Sequence, residues 1–385
     1  MPIAKKQTVQ DDVLTMARSR LNYIFDRFDK VVVGFSGGKD STCCLNLTLE
    51  VAAYRKRLPL DVYFFDEEAV APETIEYVGR VAKRPDITFR WICGPIKHRN
   101  ACSTVQPWWY CWSPEDRRLW VRDFPQECTD YDERFRAIDT PNFMGAIYGP
   151  ECGNVANVVG LRTQESLNRY RMVAGGNNSR EPFLTPTIYP HIRNASVIYD
   201  WTSDDVWLAP WRLGWDYNRA YDLLAAMGVP THAQRVAPPF GEQPIRGLSQ
   251  WRICWPQLWD KMLARVPGAD TALRYSTTEL YGRGAAATKP DDLCWKDVAL
   301  QHLTRLTGDD QRECATNLTT MIDYHERYSP EPIPDETPDP RSGLCWSDIA
   351  MVAMRGDLKN SRSTHCMIGA AMKRAGVIKE TPRLK

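Results

Sequence analysis

The feature that most constrains this chain is a glycine-containing turn, Ser36-Gly-Gly-Lys-Asp-Ser41, which directly follows the apolar run Val31-Val-Val-Gly-Phe35. Such a β-branched and aromatic run is typical of a strand buried in a parallel sheet. Because Gly37 and Gly38 lack Cβ atoms, successive backbone N–H groups of the turn can point at one anion. Residues 41–50 then predict a helix whose N-terminus faces the same anion.

The side chains of the turn strengthen the phosphate interpretation. Lys39 adds a positive charge, and Ser36 and Ser41 add hydroxyl donors, which disfavours the alternative of an ordinary glycine-rich turn. A Walker A loop is excluded, because Val33 and Asp40 stand where that motif needs glycine and Ser or Thr. A nucleotide phosphate is therefore the first ligand to consider.

Predicted strands and helices alternate along the first 230 residues. This order indicates an α/β fold, a Rossmann-like parallel sheet flanked by helices, in which ligands bind beyond the carboxyl ends of the strands. The predicted strands are 31–35, 60–65, 88–93, 157–161 and 196–199, and the predicted helices are 9–28, 41–50, 72–82, one that begins at 162, and 217–228.

Charged residues follow two of these strands. Asp66, Glu67 and Glu68 end the second strand, and Arg162, Glu165 and Arg169 follow the strand that contains Gly160. An exposed ion-pair ladder on a helix would explain the second group. Its position at a strand end favours instead a site where Arg162 or Arg169 neutralises phosphate oxygens and Glu165 orients an arginine.

Composition gives broader limits. A net charge of +1 argues against a polyanion-binding surface over the whole protein, and no apolar run is long enough for a membrane span or a signal peptide. The twelve cysteines form no CxxC pair, so we expect a cytoplasmic protein with free structural thiols. The alternative is a metal site in the irregular stretch 98–153, with ligands from His98, Cys102, Cys111, Cys128 and Cys152.

The sequence predicts five segments. Residues 1–28 form an N-terminal helix that packs on the core, and 29–241 form the nucleotide-binding domain with the long insert 98–153. Residues 242–328 form a helical extension rich in tryptophan, and the proline-rich stretch 329–343 is a linker. Residues 344–385 form a C-terminal helical segment.

Four motifs together resemble the phosphoadenosine phosphosulfate (PAPS) reductase family of the PP-loop superfamily of N-type ATP pyrophosphatases. They are Ser36–Ser41, Asp66 with the 72–75 run, 160–166, and Asp200-Trp201 with Tyr217-Asn218. Further stretches, 64–69, 98–102, 238–241 and 349–358, are similar to the PAPS reductase-like proteins of phages and mobile elements, such as immunoglobulin-binding regulator A.

The resemblance implies an adenine-nucleotide site. Adenine would lie over the strand ends between Gly34, Phe35 and Asp66, and the phosphates would lie in the turn. Departures from the family affect the reaction: the cysteine-bearing tail of PAPS reductases is absent, the chain ending in 379–385. Half of the iron–sulfur ligand set of the adenosine phosphosulfate (APS) relatives is also missing, so Cys43-Cys44 predicts no cluster.

The leading hypothesis is an enzyme that cleaves the α–β bond of ATP, adenylates an unknown acceptor and releases pyrophosphate. Lys39, Arg162 and Glu165 are its predicted catalytic residues, and Asp40, Asp66, Glu67 or Glu68 would hold Mg²⁺. One alternative is reduction or transfer of the sulfur of PAPS or APS, with Cys345 or Cys366 as the thiol.

A third hypothesis is a nucleotide-gated regulator without net chemistry. Its partner protein or nucleic acid would bind the C-terminal region, through basic residues that otherwise form a solvated face. These are Arg355, Lys359, Arg362, Lys373, Arg374 and Lys379.

Overall fold

The computed structural model describes residues 11–103, 105–106, 108–138, 143–166, 169–170, 173, 181–241, 244–275, 289–290, 292–355 and 364–377. The chain divides into two compact units, which we call the N-terminal unit (residues 8–274) and the C-terminal unit (residues 275–385). The boundaries of the five segments predicted from the sequence stay predictions. None of the described helices is long and apolar enough to cross a membrane.

A seven-stranded sheet forms the centre of the N-terminal unit. Its strand order is β6-β3-β2-β1-β7-β9-β8, and every neighbouring pair is parallel except β8 with β9. A separate antiparallel pair joins β4 and β5. The strands are β1 (Lys30–Gly34), β2 (Leu60–Phe65), β3 (Ile87–Cys93), β4 (Lys97–Arg99), β5 (Trp108–Tyr110), β6 (Asp130–Tyr131), β7 (Val155–Val158), β8 (Leu184–Pro186) and β9 (Ile192–Ala195).

Helices connect the strands of the sheet and follow it. In the N-terminal unit they are α1 (Val13–Arg27), α2 (Lys39–Tyr54), α3 (Pro72–Ala82), α4 (Met144–Ile147), α5 (Ser203–Leu213), α6 (Ala220–Ala226), α7 (Leu248–Cys254), α8 (Pro256–Arg265) and α9 (Ala269–Tyr275). The predicted α/β, Rossmann-like fold is thus confirmed.

The apolar run before the turn forms the middle of the sheet. Val31, Val32 and Val33 are buried in β1, and Val33 is in register with Val62 of β2 on one side and Val158 of β7 on the other. A strand with neighbours on both sides needs apolar residues at successive positions, which explains why the run does not alternate. The turn after β1 therefore lies at the carboxyl edge of the sheet.

Two predicted elements were wrong. Residues 196–199 were predicted as a strand, whereas the strand is β9 and residues 197–200 form a turn. Val197 and Ile198 are buried at this turn, so their apolar character reflects packing rather than strand pairing. The predicted start of the next helix at 162 was also wrong: residues 163–165 form the 3-10 turn Thr163–Glu165, Ser166 is extended with φ −162°, and the described helical residues are 169, 170 and 173.

The insert 98–153 contains short elements rather than only irregular chain. It completes the β4–β5 pair and supplies β6, which extends the parallel sheet beyond β3. The 3-10 helix Pro114–Leu119 lies between β5 and β6, the 3-10 helix Glu133–Ala137 follows β6, and α4 comes after it. Trp109, Cys111, Trp112 and Val121 are buried, so the insert has an apolar interior of its own.

The C-terminal unit is helical where it is described. Its helices are α10 (Trp295–Arg305), α11 (Gly308–Tyr328), α12 (Trp346–Arg355) and α13 (Thr364–Arg374). Ala299, Met321, Ile349 and Ala371 are fully buried where these helices pack. The proline-rich stretch 329–343 is bonded to α11, since the imidazole of His325 contacts Ser342 Oγ at 2.7 Å and the Glu331 carbonyl oxygen at 2.7 Å.

Helix α1 is fixed to the chain beyond β9 by a buried arginine. Arg20 donates to the Val197 carbonyl oxygen at 2.8 Å and to both carboxylate oxygens of Asp200, at 2.8 and 2.5 Å. Arg20→Ala should lower the free energy of unfolding by about 2–3 kcal/mol, because it leaves a partly buried carboxylate uncompensated. Urea denaturation measures this change.

Arg18 of the same helix gives a matched control, because its ion pair with Glu50 is exposed. Arg18→Ala should change the free energy of unfolding by less than about 1 kcal/mol. Equal effects of the two substitutions would contradict the structural role of Arg20.

Candidate functional site

The turn between β1 and α2 has the backbone that its glycines allow. Gly37 has φ +72°, and a Cβ there would lie 2.9 Å from Thr74 Cγ2 of α3. The Gly37 carbonyl oxygen accepts a bond from Asn218 Nδ2 at 2.9 Å, and the same amide donates to Thr74 Oγ1 at 2.8 Å. The buried Asn218 thus joins the turn to α3 and fixes its shape.

Helix α2 begins at Lys39, with Gly38 as its N-cap. The Lys39 N–H donates to the Tyr221 hydroxyl at 2.9 Å, and the Ser41 hydroxyl donates to the Gly38 carbonyl oxygen at 3.0 Å. The first N–H groups of a helix have no acceptor within the helix, and the positive end of the helix dipole lies there. This end of α2 is therefore prepared for an anion.

A cavity of about 360 Å³ opens at this edge of the sheet. Residues of the turn, of neighbouring strand ends and of the loop after α6 line it. They include Gly34, Phe35, Ser36, Gly38, Lys39, Asp40, Ser41, Tyr63, Phe65, Glu67, Val159, Gly160, Glu165, Arg169, Tyr221 and Arg235. We call it the loop cavity.

Gly160 brings the loop after β7 against the first turn of α2. A Cβ on Gly160 would lie 2.8 Å from the Ser41 nitrogen and 2.9 Å from the Asp40 carbonyl carbon. No side chain fits at that distance without moving backbone, so a glycine is required here. A Cβ at this position would press on the Ser41 N–H, one of the first donors of α2, and the glycine avoids that contact.

Four cations meet two carboxylates beside the turn. Arg162 forms an ion pair with Asp40 through Nε, and Lys39 Nζ lies 3.6 Å from the other Asp40 oxygen. Lys39 Nζ also donates to the Gln234 carbonyl oxygen at 3.0 Å. In the second group, Glu165 forms an ion pair with Arg169 and lies 3.7 Å from Arg235 Nη1. The cations are thus only half neutralised.

The pKa shifts show the same excess of positive charge. Burial lowers the pKa of Lys39, and Arg162 and Arg235 lower it further, while Asp40 opposes them. Burial also lowers the pKa of Arg169, with Arg235 and Arg162 acting in the same direction. An anion bound beside Lys39 and Arg169 would stabilise their charged forms and raise these pKa values.

Glu67 is the residue of the acidic triplet that lines the loop cavity. Burial, reinforced by the Asp66 carboxylate, raises the pKa of Glu67 to about 7. His98 Nδ1 lies 3.5 Å from Glu67 Oε1, and burial lowers the pKa of His98 to about 4. The His98 ring stacks on Phe65, with ring centroids 5.7 Å apart. Between these pKa values Glu67 and His98 are both mainly uncharged.

Asp66 and Glu68 are wholly buried and already have partners. Asp66 forms an ion pair with Arg122 and accepts a bond from Trp91 Nε1 at 2.9 Å. Glu68 holds Arg265 Nε at 3.0 Å and also accepts the Trp112 backbone N–H at 2.7 Å. Their predicted roles, adenine contact for Asp66 and Mg²⁺ ligation for both, stay predictions, and these contacts favour a structural part.

The other sequence-based interpretations concern the thiols and metals. Among the described residues, no group of three or more His, Cys, Asp or Glu side chains is placed to hold a metal ion. Burial raises the pKa of Cys43, Cys44, Cys102, Cys111 and Cys345, which keeps these thiols protonated. The side chain of Cys366 lies outside the described residues.

Some residues of the site were missed from the sequence. Asn218 belongs to the family motif Tyr217-Asn218, but nothing in the sequence indicates that its side chain contacts Gly37. Tyr221 lies 182 residues beyond Lys39 along the chain and Arg235 lies further still, and no periodicity marks either residue. The side chain of His98 was considered only as a metal ligand, whereas it faces Glu67.

The fold and the site define an α/β protein with a glycine-containing turn and a helix N-terminus at the carboxyl edge of a parallel sheet. The chain belongs to the same family as uncharacterized protein YbdN of Escherichia coli (strain K12). The two are 32% identical over 335 residues, which cover 82% of this chain and 80% of that protein. Residues 228–330 match the family model described as a domain of unknown function, DUF3440.

Several solved structures are similar at low identity. A PAPS reductase from Candida auris, in a phosphate complex, has 15% identity and a TM-score of 0.33, covering 57% of this chain and 93% of its own. Candida glabrata FMN adenylyltransferase with FMN and the ATP analogue AMPCPP has 14% identity and a TM-score of 0.35, covering 56% and 64%.

The tRNA thiolase NcsA of Methanococcus maripaludis, with its [4Fe-4S] cluster, has 13% identity and a TM-score of 0.32, covering 72% of this chain and 85% of its own. At such low identity and TM-score, these likenesses say nothing about what this chain binds.

Gly160→Ala should weaken binding of inorganic pyrophosphate at least tenfold, because the added methyl group displaces the first turn of α2. Isothermal titration calorimetry measures the affinity. Gly79→Ala is the matched control, since nothing lies within 4 Å of a Cβ at Gly79 in α3. Unchanged affinity in Gly160→Ala would contradict the role given to this close approach.

The raised pKa of Glu67 predicts a pH-dependent stability. The carboxyl group of Glu67 loses its proton near pH 4.5 in the unfolded chain and near pH 7 in the folded protein. Between these pH values the folded protein therefore binds more protons than the unfolded chain. Its free energy of unfolding therefore falls as pH rises through this window. The variant Glu67→Gln has no such proton to lose. Between pH 5 and pH 8 its free energy of unfolding should therefore increase, relative to that of the wild type, by on the order of 2 kcal/mol.

Urea denaturation at a series of pH values tests this, with the exposed Glu76→Gln as the control. Parallel pH profiles for the wild type and Glu67→Gln would show that the pKa of Glu67 is not raised.

Proposed function

We propose that this protein binds ATP in the loop cavity and cleaves the bond between its α- and β-phosphates. The observation that carries the proposal is the half-neutralised group of four cations beside the N-terminus of α2. Backbone donors at a helix N-terminus and nearby Lys and Arg side chains are the groups that hold polyphosphates. The resemblance of the turn to the PP-loop superfamily gives the bond that is cleaved.

The reaction is the transfer of an adenylyl group. An oxygen of the acceptor bonds to the α-phosphorus, the bond from this phosphorus to the bridging oxygen breaks, and the electron pair leaves with pyrophosphate. Lys39, Arg162 and the N–H groups of α2 would neutralise the charge that develops on the leaving group. Glu165 would hold Arg169 and Arg235 in position through its ion pairs.

The residues that line the loop cavity fit Mg²⁺ bound to the nucleotide. Mg²⁺ binds through one or two carboxylates together with phosphate oxygens. Glu67 and Asp40 both line the cavity, and Glu67 is the one without an arginine partner among the ion pairs given above. Glu67 would therefore hold the ion, which would add positive charge at the phosphates.

The sulfur-transfer alternative needs a reactive thiolate. The pKa of Cys345 is raised by burial, which disfavours that form, and the same holds for Cys43 and Cys44. Adenylation therefore remains the reaction that we propose, in a cytoplasmic protein of phage or mobile-element kind.

A partner protein or nucleic acid at the C-terminal unit is proposed from the basic residues alone. Arg374 forms an ion pair with Asp348, and Lys373 is exposed. Lys359, Arg362, Lys379 and the side chain of Arg355 lie outside the described residues.

Incubation with Mg-ATP, followed by mass spectrometry, tests the proposed cleavage. With water as the acceptor the products should be AMP and pyrophosphate, and Lys39→Met should lower the rate at least 100-fold. Lys30→Met is the matched control, because Lys30 begins β1, the strand that leads into the turn, and pairs with Asp61 instead. ADP and phosphate as products, or equal rates in both variants, would contradict the proposal.

A further inference from the structure

A second cavity lies beside the loop cavity in the N-terminal unit. Its volume is about 530 Å³, which is within the range of small-molecule sites. We call it the side cavity. Residues of the loop after β7, of α6 and of α7 line it, and so do residues of the chain that joins α6 to α7.

The two cavities share two residues. Glu165 and Arg235 line both of them, and they form one ion pair with 3.7 Å between Oε1 and Nη1. Arg162 lines the side cavity and is bonded to Asp40, which lines the loop cavity. The two cavities therefore adjoin at these ion pairs, and a molecule in the side cavity would lie next to a nucleotide in the loop cavity.

The shared wall favours an anion. The Glu165 carboxylate is divided between Arg169 and Arg235, so the two guanidinium groups are only half neutralised. The Arg235 side chain is 31% exposed, so it is within reach of a ligand. A monoanion is favoured over a dianion, because it is repelled less by a triphosphate bound in the adjoining loop cavity.

Part of the lining of the side cavity is apolar. Leu224 and Trp251 are almost completely buried, and Val229 lies beside them. His232 and Gln250 add polar groups to the lining. A cavity lined by both arginines and apolar side chains suits a molecule with an anionic head and an apolar body. The head can pair with a guanidinium group, and the body can be buried against the apolar side chains.

We propose that the side cavity binds the second substrate of the enzyme, and that this substrate is a carboxylate with an apolar body. Its carboxylate contacts Arg235 and its body packs on Leu224, Val229 and Trp251. A carboxylate also supplies the oxygen nucleophile that adenylation needs.

The reaction step rests on the proposed cleavage of ATP, whereas binding of the carboxylate does not. One carboxylate oxygen bonds to the α-phosphorus, the bond to the bridging oxygen breaks, and pyrophosphate leaves with the electron pair. The product is an acyl-adenylate, and no electrons are gained or lost.

Binding of butyrate, hexanoate and 4-phenylbutyrate to the full chain tests this proposal, by saturation-transfer NMR and calorimetry. Each acid is compared with its uncharged amide. At least one acid should bind ten times more tightly than its amide, and Arg235→Gln should remove that difference. Ala233→Trp should block binding, because Ala233 is exposed and lines the side cavity. Ala225→Trp, at an exposed position of α6, is the matched control.

The variant Lys39→Met separates this proposal from the proposed function. This variant should no longer bind ATP but should still bind the carboxylate, since Lys39 does not line the side cavity. If ATP is not cleaved while the acid still binds, the proposed function fails and the carboxylate site stands. The site is overturned if every acid binds no better than its amide, if Arg235→Gln keeps the preference, or if pyrophosphate displaces the acid.

Discussion

The candidate site depends on the ion pair between Asp40 in α2 and Arg162 in the loop after β7. Arg162 is 2% exposed, so its charge is neutralised by Asp40 rather than by water. Asp40 stands at the same helix end that would bind a phosphate, and alone it would repel one. Because Arg162 and Lys39 compensate this carboxylate, the helix end keeps its attraction for anions. Gly160 permits the close approach that this arrangement requires.

Much of the fold follows from local patterns in the sequence. Strand β2 and helix α3 have the predicted bounds, because the apolar run 60–65 and the helix start at Pro72 are determined by residues next to them. The prediction of strand 196–199 failed for a physical reason. Val197 and Ile198 are buried in a turn. Short runs of β-branched apolar residues occur in buried turns as well as in buried strands, so residue type alone does not distinguish the two.

The candidate site could be predicted only in part. Lys39, Asp40 and Gly160 could be identified because a turn and a strand end mark them locally, and the structure brings them together. Arg235, Asn218 and Tyr221 could not be assigned, since they meet the turn through the tertiary fold alone. The acidic triplet shows the same limit: its three residues look alike in sequence, yet Glu67 lines the cavity while Asp66 and Glu68 are bonded to arginines.

A crystal structure of the protein with Mg²⁺ and the analogue AMPCPP tests the central claim most directly. We expect the β- and γ-phosphates at the N–H groups of the first turn of α2, within hydrogen-bonding distance of Lys39, and the adenine near Gly34 and Phe35. Phosphates bound elsewhere on the chain, or no bound nucleotide at saturating concentration, would contradict this account of the site.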